Sequence, residues 1–459
     1  MEEKEIRVML MNIQDEKYTM MTEPPVGPLI CRLAVPCIIS MLVTAFYNMA
    51  DTYFVGKLDS NAATGAVGVV FSMMAIIQAV GFFFGQGSGN YISREMGKKN
   101  YQEASNMAAT GFFAAMITGA VICLLGQIFL EPLAYFLGST KTILPYTEEY
   151  LRVILLGAPW MTASLVLNNQ LRFQGSANYA MVGIVTGALL NILLDPILII
   201  RCDLGVAGAG WATIISQFVS FCLLLAGCSK GSNIRIHIRN VKFKWFYFNM
   251  IIRGGLPSLA RQSLASVATI CLNHAAQPHG DAVIAAMSVV QRITGFGASA
   301  MIGFGQGFQP VCGFNYGAKL YSRVKEGFWF CVKVSFVSLL LISALGWYYA
   351  PNLIGYIRND PDVISCGVRA LRFQCMTFWV QSFVIMSNML MQSIGKTVPA
   401  TFLAVARQGV FFIPLVLILP FFLGLTGIQA TQSFADVLTF LCAIPILLNV
   451  LRKIPQDGT

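Results

Sequence analysis

The chain reads as an all-α integral membrane protein, with twelve transmembrane helices in two pseudo-symmetric six-helix lobes. Composition is the first observation behind that prediction. Of 459 residues, 56% are hydrophobic and 11% are charged, at a mean hydropathy of +0.67, whereas soluble chains carry about 25% charged residues. The second is apolar run length. A spanning helix needs ~20 mostly apolar residues, and the chain breaks into twelve such stretches; an outer-membrane barrel shows no apolar runs of this length. The third is self-similarity. Shifted by 220 residues, Phe84-Gly85-Gln86-Gly87 lands on Phe304-Gly305-Gln306-Gly307, Gly97 on Gly317, Leu151-Arg152 on Leu371-Arg372, Asn168 on Asn388 and Gly175 on Gly395. At a shift of 219, Leu204-Gly205 and Gly208 meet Leu423-Gly424 and Gly427.

Residues 1–27 read as a cytosolic tail, because Met1-Glu-Glu-Lys-Glu is acidic and lacks the apolar core of a secretory signal. The first lobe, 28–230, takes spans near 28–55, 62–88, 104–130, 148–170, 179–200 and 206–228. A basic stretch over 231–250 reads as a cytoplasmic linker. The second lobe, 251–451, takes 251–274, 282–312, 327–350, 366–392, 400–423 and 427–450, and 452–459 forms a second cytosolic tail. Loops after even-numbered spans hold most of the Lys and Arg, among them Arg94, Lys98, Lys99, Arg172, Arg235, Lys319, Lys396 and Arg452. Odd-numbered loops hold chiefly Lys57, Lys141, Arg201 and Arg358. The positive-inside rule then places both termini in the cytoplasm of a multi-pass plasma-membrane protein. The net charge of +10 follows from the same loops and requires no nucleic-acid partner. Twelve cysteines at no ligand-like or disulfide-like spacing read as small buried hydrophobes. The histidines form no metal motif, and no cofactor is expected beyond a coupling ion.

Six spans per lobe is an even number, so both halves enter the membrane from the same side. An axis along the membrane normal should relate them, with a cavity between. Two lobes around a shared cavity suit alternating access, which points to transport.

The chemistry concentrates in Val185–Ile200, a run apolar enough for a bilayer that nevertheless carries Asn191 and Asp195. A carboxylate there costs at least ~2.5–3.5 kcal/mol, so an intramembrane acid marks a functional site by default. Asn191 and Asp195, four apart, share a helix face. Pro196 lacks an N–H and should bend the helix by freeing the Ile192 carbonyl. Counting ~1.5 Å per residue brings Asp51, Asp195 and Thr213 to one depth in the outer part of the membrane. Burial favours the protonated form of a carboxylate, and a neighbouring acid favours it further, so such a pair can exchange a proton near neutral pH. An all-oxygen cluster also suits Na⁺, and the residues leave H⁺ or Na⁺ open. Under the repeat, Asp51 falls on Cys271, Asp195 on Pro414 or Leu415, and Asn191 on Val410 or Phe411. The scaffold is duplicated and the acids are not, which argues against acids kept for packing.

Four features carry a family resemblance. They are the Tyr47-Asn48-Met49-Ala50-Asp51-Thr52 run, the Asn191-x-x-x-Asp195-Pro196 motif, the run from Leu204 through Gly210-Trp211-Ala212-Thr213, and the Arg407-Gln408 pair opening span 11. From Pro28 to Leu451 the chain resembles the MATE family of multidrug and toxic compound extrusion transporters, in its DinF/MepA-like branch. The resemblance implies a two-lobed antiporter that expels bulky, often cationic amphiphilic drug-like compounds against H⁺ or Na⁺, and that is monomeric. It implies a first-lobe ion network of Asp51, Asn191, Asp195 and Thr213, a cavity lined by Tyr47 and Asn168, and a first span that bends at Pro36. NorM-like relatives place acids in spans 7 and 8; here none stands between Pro257 and Ala275 or between Ala282 and Gln309.

Asp436, Arg261 and Arg407 are the charges deep in the second lobe, and they read as an ion pair locking helices, since a buried charge needs a partner. The Phe-Gly-Gln-Gly repeats read as sites of close helix approach. Two other functions compete. A lipid-linked-substrate flippase of related plan usually shows extra spans and a strongly cationic cavity. An intramembrane aspartyl enzyme resembles proteins with Gly-x-Gly-Asp, whereas Ile-Leu-Leu precedes Asp195 and Asn-Met-Ala precedes Asp51. A non-enzyme is expected, and the lack of a phosphate-binding Gly-rich loop with its Lys removes direct use of ATP.

Overall fold

A computed structural model describes the backbone of residues 15–55, 61–202 and 204–457, and their side chains apart from 48, 49, 51–55 and 61–64. Lipid offers the backbone no hydrogen bonds, so each span must satisfy its own, and the described spans are accordingly helical. The long helices are α1 (Val26–Val55), α2 (Asn61–Gly97), α3 (Tyr101–Ile128), α4 (Leu144–Phe173), α5 (Ala177–Pro196), α6 (Gly205–Cys228), α7 (Trp245–Ala276), α8 (Asp281–Gly317), α9 (Tyr321–Tyr348), α10 (Pro361–Thr377, resuming at Gln381–Ser393), α11 (Thr397–Val405, resuming at Ile413–Leu423) and α12 (Leu425–Arg452). These are the twelve spans of the sequence reading. Ten of them, counting α5 and α11 with their π turns, are long and apolar enough to cross a membrane on those grounds alone. The other two are α7, which carries Arg253 and Arg261, and α10, which a 3-10 turn over Phe378–Val380 interrupts.

The repeat reaches down to backbone torsions. Lys99 and Lys319, 220 apart, both adopt left-handed torsions at φ 59° and 60°. Gly175 and Gly395 turn at φ 79° and 80°, and Gly205 and Gly424 at φ 51° and 54°. A short helix missed in the sequence, Leu130–Phe136, has its counterpart 220 residues on in Ala350–Ile357. Asn168 Nδ2 donates to the Ala180 carbonyl at 3.3 Å, and Asn388 Nδ2 to the Ala400 carbonyl at 2.6 Å.

The chain forms two compact units, one of Met1–Pro24 with Ile39–Gly255, the other of Pro25–Ile38 with Leu256–Thr459. In the first unit α4 is the central span, with 72% of its apolar window buried against 33–44% for α2, α3, α5 and α6. Tyr150, Leu151 and Ile154 on it pack with Met73, Met74 and Ile77 of α2 and with Val206 and Ala209 of α6. Gln86 Nε2 donates to Asn169 Oδ1 at 3.1 Å, and Gln170 Nε2 to Ser88 Oγ at 3.1 Å and to the Ala108 carbonyl at 3.0 Å, so these buried amides stitch α2 and α3 to α4. In the second unit Leu272, Met287, Val290, Leu371 and Val416 form the corresponding core.

The Phe-Gly-Gln-Gly repeats are close-packing sites, as read from sequence. A Cβ on Gly87 would strike the Ile251 backbone of α7, and one on Gly307 would come 2.5 Å from Ala34 Cα of α1. The cysteine reading holds in part. Six, among them Cys37, Cys312 and Cys331, are buried, whereas Cys31, Cys202 and Cys222 are exposed. Overpacking at a backbone contact costs about 1–3 kcal/mol. Gly87→Ala will therefore lower the thermal midpoint in detergent, whereas Gly68→Ala, whose Cβ meets nothing within 4 Å, will leave it unchanged.

A short helix over 15–22 belongs to the first unit. Lys17, 4% exposed, donates from Nζ to Asn233 Oδ1 at 2.8 Å, to Ser176 Oγ at 3.3 Å and to the Ser232 carbonyl at 3.3 Å. Burial pushes the Lys17 amine from 10.5 down to about 7, with Cys228 opposing the shift. Undocked, the lysine keeps its ordinary value. Between about pH 7 and 10.5 the undocked state therefore binds the extra proton, and docking strengthens as pH rises through that window. A fluorophore attached at the exposed Glu16 will report a rising docked fraction between pH 7 and 10, and Lys17→Met will flatten the profile.

Candidate functional site

Asn191 and Asp195 lie one turn apart on α5, and Thr213 lies on α6. All three are buried, at 2%, 0% and 1% exposure. The Asn191 amide has one orientation that satisfies both its ends: its nitrogen donates to Asp195 Oδ2 at 3.2 Å and its oxygen accepts from the Thr213 N–H at 3.2 Å. In the reverse orientation Nδ2 reaches Thr213 Oγ1 at 3.4 Å. The Thr213 hydroxyl itself donates to the Ala209 carbonyl at 3.0 Å. The structure thus brings three of the four sequence-predicted network residues into one hydrogen-bonded group. Asp51 stands on α1, and its side chain lies outside the described residues.

Local sequence makes this arrangement possible. Pro196 cannot donate to the preceding turn, and α5 passes directly into a π turn over Ile197–Arg201. Such turns recur at functional sites. The glycines of the run from Leu204 let α6 approach that turn. A Cβ on Gly208 would sit 2.7 Å from the Leu198 carbonyl oxygen, and one on Gly210 2.9 Å from Tyr150 Cδ2. The motif is therefore a packing device that seats Thr213 beside Asn191.

Tyr47 is 6% exposed and Asn168 9%. Asn168 uses its amide nitrogen to tie α4 to α5 through the Ala180 carbonyl. Pro36 lies inside the continuous helix α1.

In the second unit, Asp436 is 3% exposed and pairs with Arg407, whose Nε donates to Oδ1 at 2.8 Å. Gln381 Nε2 at 2.8 Å and Gln432 Nε2 at 2.9 Å also donate to it. The sequence reading offered Arg261 or Arg407 as the partner, and Arg407 makes the contact. What that reading missed is the glutamine set around the pair. Its signal was present, since a primary amide in an apolar span is costly unless satisfied.

A two-lobed, all-helical membrane fold with a polar cluster buried in one lobe defines a transporter class, and comparison with known proteins identifies it. The MatE family model matches residues 36–197 and 257–418. Multidrug export protein MepA of Staphylococcus aureus (strain MSSA476) is 25% identical over 97% of this chain and 98% of its own. MepA of Staphylococcus haemolyticus (strain JCSC1435) is 24% identical over the same shares. Among solved structures, a MATE protein in complex with MaL6 superposes at TM-score 0.90 and 26% identity, covering 95% of this chain and 98% of that one. The outward-facing conformation of a multidrug resistance MATE transporter of the MOP superfamily gives 0.89 and 26% over the same shares. The chain belongs to the MatE family, as a multi-pass membrane protein.

Breaking a buried ion pair by removing one partner costs about 3–5 kcal/mol, whereas neutralising both partners is often nearly free. Asp436→Ala will accordingly lower the thermal midpoint in detergent by several degrees, and the Arg407→Gln/Asp436→Asn double variant will recover most of it.

Proposed function

We propose that the chain is a secondary-active exporter of bulky, often cationic compounds, driven by inward movement of H⁺ or Na⁺ through alternating access, and not an enzyme. The observation that carries the reading is the buried carboxylate of Asp195, held by Asn191 beside Thr213 in a chain of the MatE family whose relatives are named multidrug export proteins. Asp51, Asn191, Asp195 and Thr213 form the coupling network, and Tyr47 and Asn168 belong to the substrate cavity. Pro36 and Pro196 give α1 and α5 places to bend. The protein works as a monomer in the plasma membrane with both termini in the cytoplasm.

A bound proton and a cationic drug neutralise the same negative cluster, so each weakens the other's binding, and linkage makes that coupling reciprocal at ~1–3 kcal/mol. In liposomes loaded with a cationic dye, an imposed H⁺ or Na⁺ gradient will drive efflux, and the gradient that works names the ion. Asp195→Asn and Asp51→Asn will each abolish efflux in protein that still folds. Full transport by both variants would refute the coupling assignment, and dye movement indifferent to either gradient would refute antiport.

A further inference from the structure

The second unit contains a cavity of about 290 Å³ that the export reading does not use. That is near the lower end of ordinary ligand sites, roughly 300–1,000 Å³. Its wall carries Gln291 of α8, Gln374 and Gln381 of α10, Gln408, Gln432 of α12, and Arg407. Leu272, Phe378 and Phe412 contribute apolar surface to the same wall. Backbone irregularities meet at this wall. Phe378 opens the 3-10 turn in α10, and Arg407, Gln408 and Phe412 lie on the π turn Ala406–Phe412 that interrupts α11. Irregular backbone inside a membrane protein is tolerated where it is buried in protein or lines a cavity.

The charge distribution sets the ligand class. Asp436 already accepts from Arg407, Gln381 and Gln432 at 2.8–2.9 Å. It commits Arg407 Nε and the amide nitrogens of Gln381 and Gln432, and it is itself 3% exposed and not part of the wall. Its charge offsets one guanidinium. Among the lining residues Arg407 alone carries a charge. The wall therefore presents a guanidinium and no carboxylate. An acid-lined site for cations has the opposite sign.

The geometry points to a second ligand site here, taking small molecules with a carboxylate on an apolar body: the carboxylate meets the Arg407 guanidinium and the amides of Gln291, Gln374 and Gln408, which do not donate to Asp436, and the body meets the aromatic wall. Guanidinium suits this role because its planar fork matches a carboxylate, and the ion pair with Asp436 orients it before the ligand arrives.

Three probes of matched shape test the site in the purified full-length protein: 2-naphthoate, 2-naphthamide and 2-naphthylmethylamine. Equilibrium titration will show saturable binding in the order carboxylate, amide, amine, with at least a tenfold gap between the first and last. Gly295 lines the cavity, and a Cβ there meets nothing within 4 Å, so Gly295→Leu adds bulk at the cavity wall from a position with open space at Cβ. That variant will weaken 2-naphthoate binding at least tenfold while its thermal midpoint is maintained. Equal affinity for the three probes, preference for the amine, an unaffected Gly295→Leu, or no saturable binding would each overturn the proposal. The measurement needs no ion gradient, so its failure is distinct from failure of the first-lobe coupling assignment.

Discussion

Every backbone polar group carried into a bilayer must find its partner within the protein, and this constraint organises the molecule. It makes the spans helical, and several buried side chains are paired as well. Gln86 is spent on Asn169, Gln170 on Ser88 and Ala108, and Asn168 on Ala180. Asp436 gathers three donors around one carboxylate. Glycine serves the same end, because helices must come close before short amide side chains can bridge them. The backbones at Gly87 and Gly307 are near enough to exclude even a methyl group.

Much of this was legible in the sequence. Apolar run length gave the twelve spans, and constant register at shifts of 219 and 220 gave the two halves, which recur as paired left-handed turns at Lys99 and Lys319. The four-residue spacing of Asn191 and Asp195 gave their shared face. Thr213 was harder to place by inspection, since its position depends on how closely Gly208 lets α6 approach the π turn. The run from Leu204 resembled a family signature before its packing role was visible.

Other features were not legible, for physical reasons. The short helices Leu130–Phe136 and Ala350–Ile357 sit at the ends of apolar runs, where hydropathy cannot separate a span from its extension. The interruption of α10 at Phe378–Val380 contains no proline or glycine, so no local breaker announces it. Which arginine meets Asp436 depended on the facing of α7 and α11, and the π turn in α11 resets the helical phase there. Periodicity counted at 3.6 residues per turn loses its register across such a turn.

The interruption of α10 also separates the two halves mechanically. Its counterpart α4 runs unbroken through thirty residues despite Pro159, a length of ~45 Å. A continuous helix passes a displacement from end to end as a rod does, whereas a helix broken by a 3-10 turn takes up part of it at the break. Duplication has therefore produced a rod-like fourth span and a jointed tenth span from the same plan.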